Sequence, residues 1–343
     1  MKAIVIHGAK DLRLEERPVE DVAPGQVEIA VEAGGICGSD LHYYNHGGFG
    51  TVRLREPMIL GHEVAGTVKK LGEGVSRVAV GDRVAVSPSR PCNACRYCLA
   101  GQQNHCLNMR FYGSAMVMPH IQGAFRQRLV AEDWQCHKVA DGVSINEAAF
   151  AEPFAVTLHA VARAGSLLGK RILVTGCGPI GSLAIIAARI HGAREIVATD
   201  VTRAVLEKAR VIGADRTINI ESDQDALSAY AANKGYFDVH FEASGNGQAV
   251  RSGLEVLKPR SLLVQLGLGG DISIPQNMLV AKEIEMKGTF RFHEEFGTAV
   301  ALINSGKVDM KPLLTDIYPI DEAVAAFEMA SDRRKSMKVQ LSF

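Results

Sequence analysis

An alternation that begins near residue 171 constrains this chain most. Apolar strand-like runs at 171–175, 195–200, 216–218, 237–242, 261–266 and 284–287 are separated by helix-like segments such as 179–191 and 203–212. Parallel neighbours need a crossover long enough for a helix, and such sheets are buried on both faces. Six strands in this arrangement predict an α/β unit with a doubly wound parallel six-stranded sheet, a Rossmann arrangement.

The first of these strands runs into Gly176, Gly178 and Gly181, spaced G-x-G-x-x-G. Alone, the spacing is weak evidence. Here it follows an apolar strand and opens a helix, the context in which backbone N–H groups and a helix N-terminus bind a pyrophosphate. Asp200 ends the next strand and is placed to accept hydrogen bonds from ribose hydroxyls, which favours NAD over NADP. Arg203 is close enough to soften that preference. Pro179 and Ile180 inside the motif, and Leu266 at the end of the fifth strand, are further expected cofactor contacts.

Before residue 145 the pattern differs. Short β-like runs at 2–6, 26–33, 65–68 and 83–86 are punctuated by turn signals such as Pro24-Gly25 and Gly72-Glu73-Gly74. They predict a mainly antiparallel β domain with functional loops. The expected division is 1–145, 146–290 for the dinucleotide domain, and a tail 291–343 that returns to the first style. In the tail, Asp321 reads as the N-cap of an Ala-rich helix, and 338–343 as a closing strand.

Cys92, Cys95, Cys98 and Cys106 form C-x2-C-x2-C-x7-C. Four thiolates on one short loop, about 90–108, can close a tetrahedral zinc site with no open position, which describes a structural metal. An iron–sulfur cluster also takes four thiolates, but the usual ferredoxin spacings are absent. Cys37, His62 and either Glu63 or Glu152 offer an N/S/O set of the kind that leaves a catalytic zinc one open position. On residue types alone, a cysteine and a distant histidine are more often a core thiol and a surface imidazole. The leftover Cys136 and Cys177 read as small packing residues, and His159 as a packed or capped histidine.

Taken in order, Cys37-Gly-Ser-Asp-Leu-His42, Gly61-His-Glu63-Val-Ala-Gly66, the four-cysteine lobe, Ala151-Glu-Pro153 and the glycine motif resemble the zinc-containing medium-chain dehydrogenases. The resemblance covers essentially the whole chain. His42-Tyr-Tyr44 and Ala151-Glu-Pro153 are similar to the sorbitol (polyol) dehydrogenase branch. Asn108–Met116 and Gly288–Phe292 point within it toward a sugar-acid substrate.

The resemblance implies a GroES-like catalytic domain beside the Rossmann domain, with the active site in the cleft between them. It also implies two zinc ions per chain, one catalytic and one structural, with NAD or NADP. Cys37 and His62 match catalytic zinc ligands; Glu63 and Glu152 match acids that bind the metal directly or through its water. Ser39 matches the hydroxyl beside the reacting alcohol, and His42 the end of a proton relay. Metal-assisted acidification of a secondary hydroxyl would then precede transfer of its hydride to the nicotinamide ring. A sugar acid needs a cationic partner, for which Arg110 and Arg291 are the candidates, with Tyr43 and Phe292 lining the pocket. Threonine dehydrogenase and sorbitol or xylitol dehydrogenase are the competing readings within the class.

Composition limits the other classes. Lys and Arg number 38, as do Asp and Glu, so net charge gives no reason to expect nucleic acid or an anionic membrane. This argues against reading the cysteine lobe as a nucleic-acid module. A catalytically inactive zinc scaffold is a further alternative, though such a chain should have lost ligands such as Cys37. No signal peptide or transmembrane run is evident, which predicts a cytoplasmic enzyme whose cysteines are not disulfides. A homodimer or homotetramer is expected, with the strand 284–287 a candidate pairing edge.

Overall fold

The six strands of the second half form one parallel sheet. In the structure, a computed structural model that describes residues 1–343 except the side chain of Gln224, their order is Arg216–Asn219, Glu195–Asp200, Arg171–Thr175, Phe237–Glu242, Leu257–Gln265, Glu285–Gly288. Numbered along the chain, that order is 3-2-1-4-5-6, the doubly wound arrangement whose direction reverses beside the first strand. Leu173, Val197, Phe237, Leu254 and Leu263 are buried in its core. Parallel strands this apolar call for helices over both faces.

Two compact units result. One contains Met1–Glu152 and Phe296–Phe343; the other is Pro153–Glu295. The breaks fall a few residues beyond 145 and 290. The first unit is built on a seven-stranded sheet. Its path runs Cys136–Lys138, Arg83–Val86, Glu63–Leu71, Gln26–Gly35, Lys338–Ser342, Leu314–Pro319, with Arg128–Glu132 also paired to Gln26–Gly35. The pairs are antiparallel except Leu314–Pro319 with Lys338–Ser342. Its core gathers Ile4, Ile29, Val68, Phe125, Phe327 and Leu341.

One capping expectation fails. The Ala-rich helix is Ala323–Ser331, with Glu322 at its N-cap, after a 3-10 turn Ile320–Glu322. Asp321 lies within that turn, and its carboxylate accepts from Lys2 Nζ at 2.7 Å. The 3-10 turn, unreadable from local sequence, places Asp321 one residue before the cap position. Among the described residues no helix is long and apolar enough to cross a membrane.

Candidate active site and metal centres

Cys37 is the N-cap of the helix Gly38–His46, with extended backbone (φ −90°, ψ 157°). Asp40, fully buried, closes the cap: its Oδ2 accepts from Cys37 N at 3.0 Å. Its Oδ1 accepts from Gly61 N at 3.2 Å and stands 3.8 Å from His62 Nδ1. One carboxylate therefore ties together the two segments that carry Cys37 and His62. Gly61 has φ +90°, and a Cβ there would strike the Phe125 ring, so only glycine makes this entry into the strand Glu63–Leu71. Glu63 pairs with Gly35, where a Cβ would collide with the Glu63 carboxylate.

These elements bring Cys37, His62 and Glu63 together. One donor atom from each lies within 4.8 Å of the others. His62 and Glu63 are buried, and among the described residues His62 Nδ1 and Glu63 Oε1 have no hydrogen-bond partner. Burial, then the charge of Glu63, pushes the Cys37 thiol up to about 12, although Lys338 and the Ser39 hydroxyl pull the other way. Glu152 opens the helix Ala151–Ala164 and stands outside this three-residue cluster. Burial pushes its carboxyl up to about 8; Glu63 and Cys37 add to the rise, and His62 opposes it. Buried acids that repel one another are costly without a cation. An N/S/O donor set with orphaned polar atoms fits a divalent metal, which would reverse that cost.

The four-cysteine lobe is a second cluster with its sulfurs within 4.8 Å. Cys95 caps the one-turn helix Arg96–Leu99, and Cys106 ends the 3-10 turn Gln103–His105. The sulfurs of Cys95 and Cys98 are 3.6 Å apart, and those of Cys92 and Cys106 are 3.4 Å apart. A zinc with four sulfurs at about 2.3 Å has a tetrahedral edge of about 3.8 Å. Cys106 Sγ accepts from the N–H groups of Cys92 and Asn108. Backbone N–H groups of Ala94 and Cys95 hold Cys92 down at about 6, in the thiolate form a metal needs.

In the other unit, Gly176 has φ +81°, and a Cβ there would meet Ser244 N at 2.7 Å. Gly181 packs on the Gly176 carbonyl. Gly178 differs: it caps the helix Pro179–Ile190, and a Cβ there would enter open space. An open helix N-terminus of this kind is a surface on which a pyrophosphate can bind. Asp200 Oδ2 accepts from Cys177 N at 2.7 Å and Oδ1 from Thr202 N at 2.8 Å. Arg203 begins the following helix, Arg203–Val211, and Leu266 N donates to Glu242 O at 2.8 Å.

The remaining candidates are less gathered. Ser39 lies one turn from His42 on the helix Gly38–His46; the His42 ring stands 5.7 Å from Phe49 and 6.1 Å from His46. Tyr43 is buried in the core, and its hydroxyl accepts from Ala115 N at 3.0 Å. Arg110 is exposed on the short strand Arg110–Phe111. In the other unit, Arg291 has φ +55° and stacks over Phe290 at 4.9 Å, while Phe292 is buried. Cys136 and Cys177 are buried. His159 Nδ1 meets Glu295 Oε1 at 2.8 Å. Asp40 and Lys338 were missed by sequence reasoning. For Asp40 the capping spacing Cys37-x-x-Asp40 was an available signal; for Lys338 there was none.

Residues 23–141 match the alcohol dehydrogenase GroES-like domain, and residues 179–305 match the zinc-binding dehydrogenase model. The L-idonate 5-dehydrogenase (NAD(P)(+)) of Escherichia coli K12 is 40% identical over 343 residues, 100% of this chain and 98% of that one. The chain belongs to the zinc-binding dehydrogenases. The sorbitol dehydrogenase of Bacillus subtilis is 38% identical, over 96% of this chain and 93% of its own. A crystal structure of the Escherichia coli L-idonate 5-dehydrogenase superposes with a TM-score of 0.95, covering 100% and 98% of the two chains. A short chain alcohol dehydrogenase of Escherichia coli CFT073 complexed with NADH is 25% identical with a TM-score of 0.90, over 100% and 99%. This chain is thus a zinc-dependent, NAD(P)-dependent dehydrogenase acting on a CH–OH group of a small molecule, with a GroES-like domain and a Rossmann sheet.

Proposed function

We propose that the chain oxidises L-idonate to 5-keto-D-gluconate with reduction of NAD(P)+. The observation that carries this reading is full-length identity of 40% to an enzyme named for that reaction. The second reading is a polyol dehydrogenase acting on sorbitol or xylitol, favoured by the 38% identical sorbitol dehydrogenase.

Cys37, His62 and Glu63 are the proposed ligands of the catalytic zinc, and Cys92, Cys95, Cys98 and Cys106 those of the structural zinc. When bound, the catalytic zinc supplies Lewis-acid chemistry that lowers the pKa of a substrate hydroxyl. Glu152, buried beside the ligands, would offset positive charge there. Ser39 is the proposed relay for the hydroxyl proton, and His42 its outlet toward solvent. Gly176, Gly178, Pro179, Ile180 and Gly181 cradle the pyrophosphate, and Leu266 borders the cofactor. Asp200 favours NAD, with Arg203 softening the preference. Arg110, Arg291, Tyr43 and Phe292 are the proposed substrate residues, the two arginines as partners of the substrate carboxylate.

The enzyme is proposed to be cytoplasmic, in keeping with seven free cysteines. It is also proposed to assemble as a homodimer or homotetramer through the terminal strand Glu285–Gly288, near which Met286 and Phe290 are 40% and 42% exposed. The deciding experiment is a panel of idonate, gluconate, sorbitol, xylitol and threonine with both cofactors, read as absorbance of the reduced cofactor. Idonate should show the highest kcat/KM. Fast turnover of sorbitol or xylitol with none of idonate would sink the proposal.

A further inference from the structure

One buried charge at the donor cluster has no role in that reading. Lys338 opens the strand Lys338–Ser342, and its side chain is 3% exposed. Its Nζ contacts Glu63 Oε2 and donates to Ile36 O at 3.1 Å. The sheet makes this meeting: Gln340 pairs with Gly35, and Gly35 pairs on its other edge with Glu63. A Cβ at Gly35 would strike the Glu63 carboxylate and lie 2.9 Å from Lys338 Cε. The missing side chain therefore leaves the space in which ammonium and carboxylate meet. Cys37 and Glu152 also lie within electrostatic reach of the lysine. A buried ammonium is unfavourable unless paired, and a crowd of buried acids is unfavourable unless a cation stands among them.

We propose that Lys338 is a positioning residue of the metal centre: its ammonium group fixes the Glu63 carboxylate among the donors and supplies the positive charge that lets the acidic cluster fold before a metal binds. The inference rests on the reading of Cys37, His62 and Glu63 as that centre. It has a thermodynamic signature. Lysine and metal both stabilise one carboxylate, so their contributions to stability are not additive. Removing the lysine costs most when the metal is absent.

The test compares Lys338→Met with the parent in two forms. One is fully zinc-loaded. The other is dialysed against a chelator until only the zinc of the four-cysteine lobe remains, with metal content measured in both. Breaking a buried pair should lower the midpoint of the one-zinc form by about 10 °C. The two-zinc form should lose less than half as much. Equal losses in the two forms would mean that Lys338 merely packs, and would overturn the proposal. Lys338→Arg should restore the parental gap between forms. Should Lys338→Met fail to fold with one zinc, the variant Glu63→Gln/Lys338→Met, which removes both charges, is expected to fold in that form. If it folds no better than Lys338→Met, the charge argument fails. The underlying reading fails separately: parent and Cys37→Ser would then carry the same amount of zinc, whatever the lysine does.

Discussion

Asp40 spends both its oxygens on backbone N–H groups, one from each of the segments that hold Cys37 and His62. An outer carboxylate of this kind typically changes metal affinity 10–100-fold. Asp40→Ala is therefore expected to weaken zinc binding by about that factor, measured by competition with a chromogenic chelator. An unchanged affinity would mean that the two segments are held without it. His42 carries a pH prediction. Burial, with the positive charges of His46 and Arg333, holds its pKa below the usual 6.5. It is then neutral at pH 7 and able to accept a proton; as pH falls below 6.5 it protonates and that capacity disappears. The acidic limb of the kcat/KM profile should lie below pH 6.5 and flatten in His42→Ala, with kcat at neutral pH down about 100-fold. A limb that persists in the variant belongs to another group.

At the scale of elements, the glycine turn separates two demands that one motif combines. Gly176 is required by the fold, because of φ +81° and the close approach of Ser244. Gly176→Ala should cost about 1–3 kcal/mol in stability, read by denaturant unfolding. Gly178 faces open space. Gly178→Ala should leave stability within about 1 kcal/mol of the parent while weakening NADH binding about tenfold or more in a fluorescence titration. The reverse ranking would contradict this division of labour. The strands of the parallel sheet were legible because each is a short apolar run between helical patterns, a local signal. The cysteine lobe was legible for the same reason, with four ligands within one loop. Lys338 was not, because its partner Glu63 is reached only through sheet pairing across Gly35. Asp321 was misread because a 3-10 turn precedes the helix and moves the cap to Glu322. What depended on spacing could be read, and what depended on register could not.

For the whole molecule, the terminal strand Glu285–Gly288 pairs, among the described residues, on one side only, with Leu257–Gln265. Light scattering of the parent should give a mass that is two or four times 36.9 kDa. The double substitution Met286→Glu/Phe290→Glu, which places charge beside that edge, should lower it to the monomer mass. A parent that is monomeric at micromolar concentration would remove the assembly proposal.

The first unit is assembled from two pieces of chain, with Pro153–Glu295 inserted between them. Strand Gln26–Gly35, paired on one side with Glu63–Leu71, acquires its second neighbour at Ala33–Gly35 from Lys338–Ser342. A ribosome adding about 5–20 residues per second reaches that strand on the order of 10 s after finishing the first piece. During that interval one sheet edge is unpaired, and the Glu63 carboxylate has no lysine beside it. The inserted unit meanwhile has its whole sequence and is free to fold. Order of synthesis thus makes the cofactor domain the early product and the metal centre the late one. A nascent chain arrested before residue 338 should resist protease across Pro153–Glu295 while Met1–Glu152 remains cleavable.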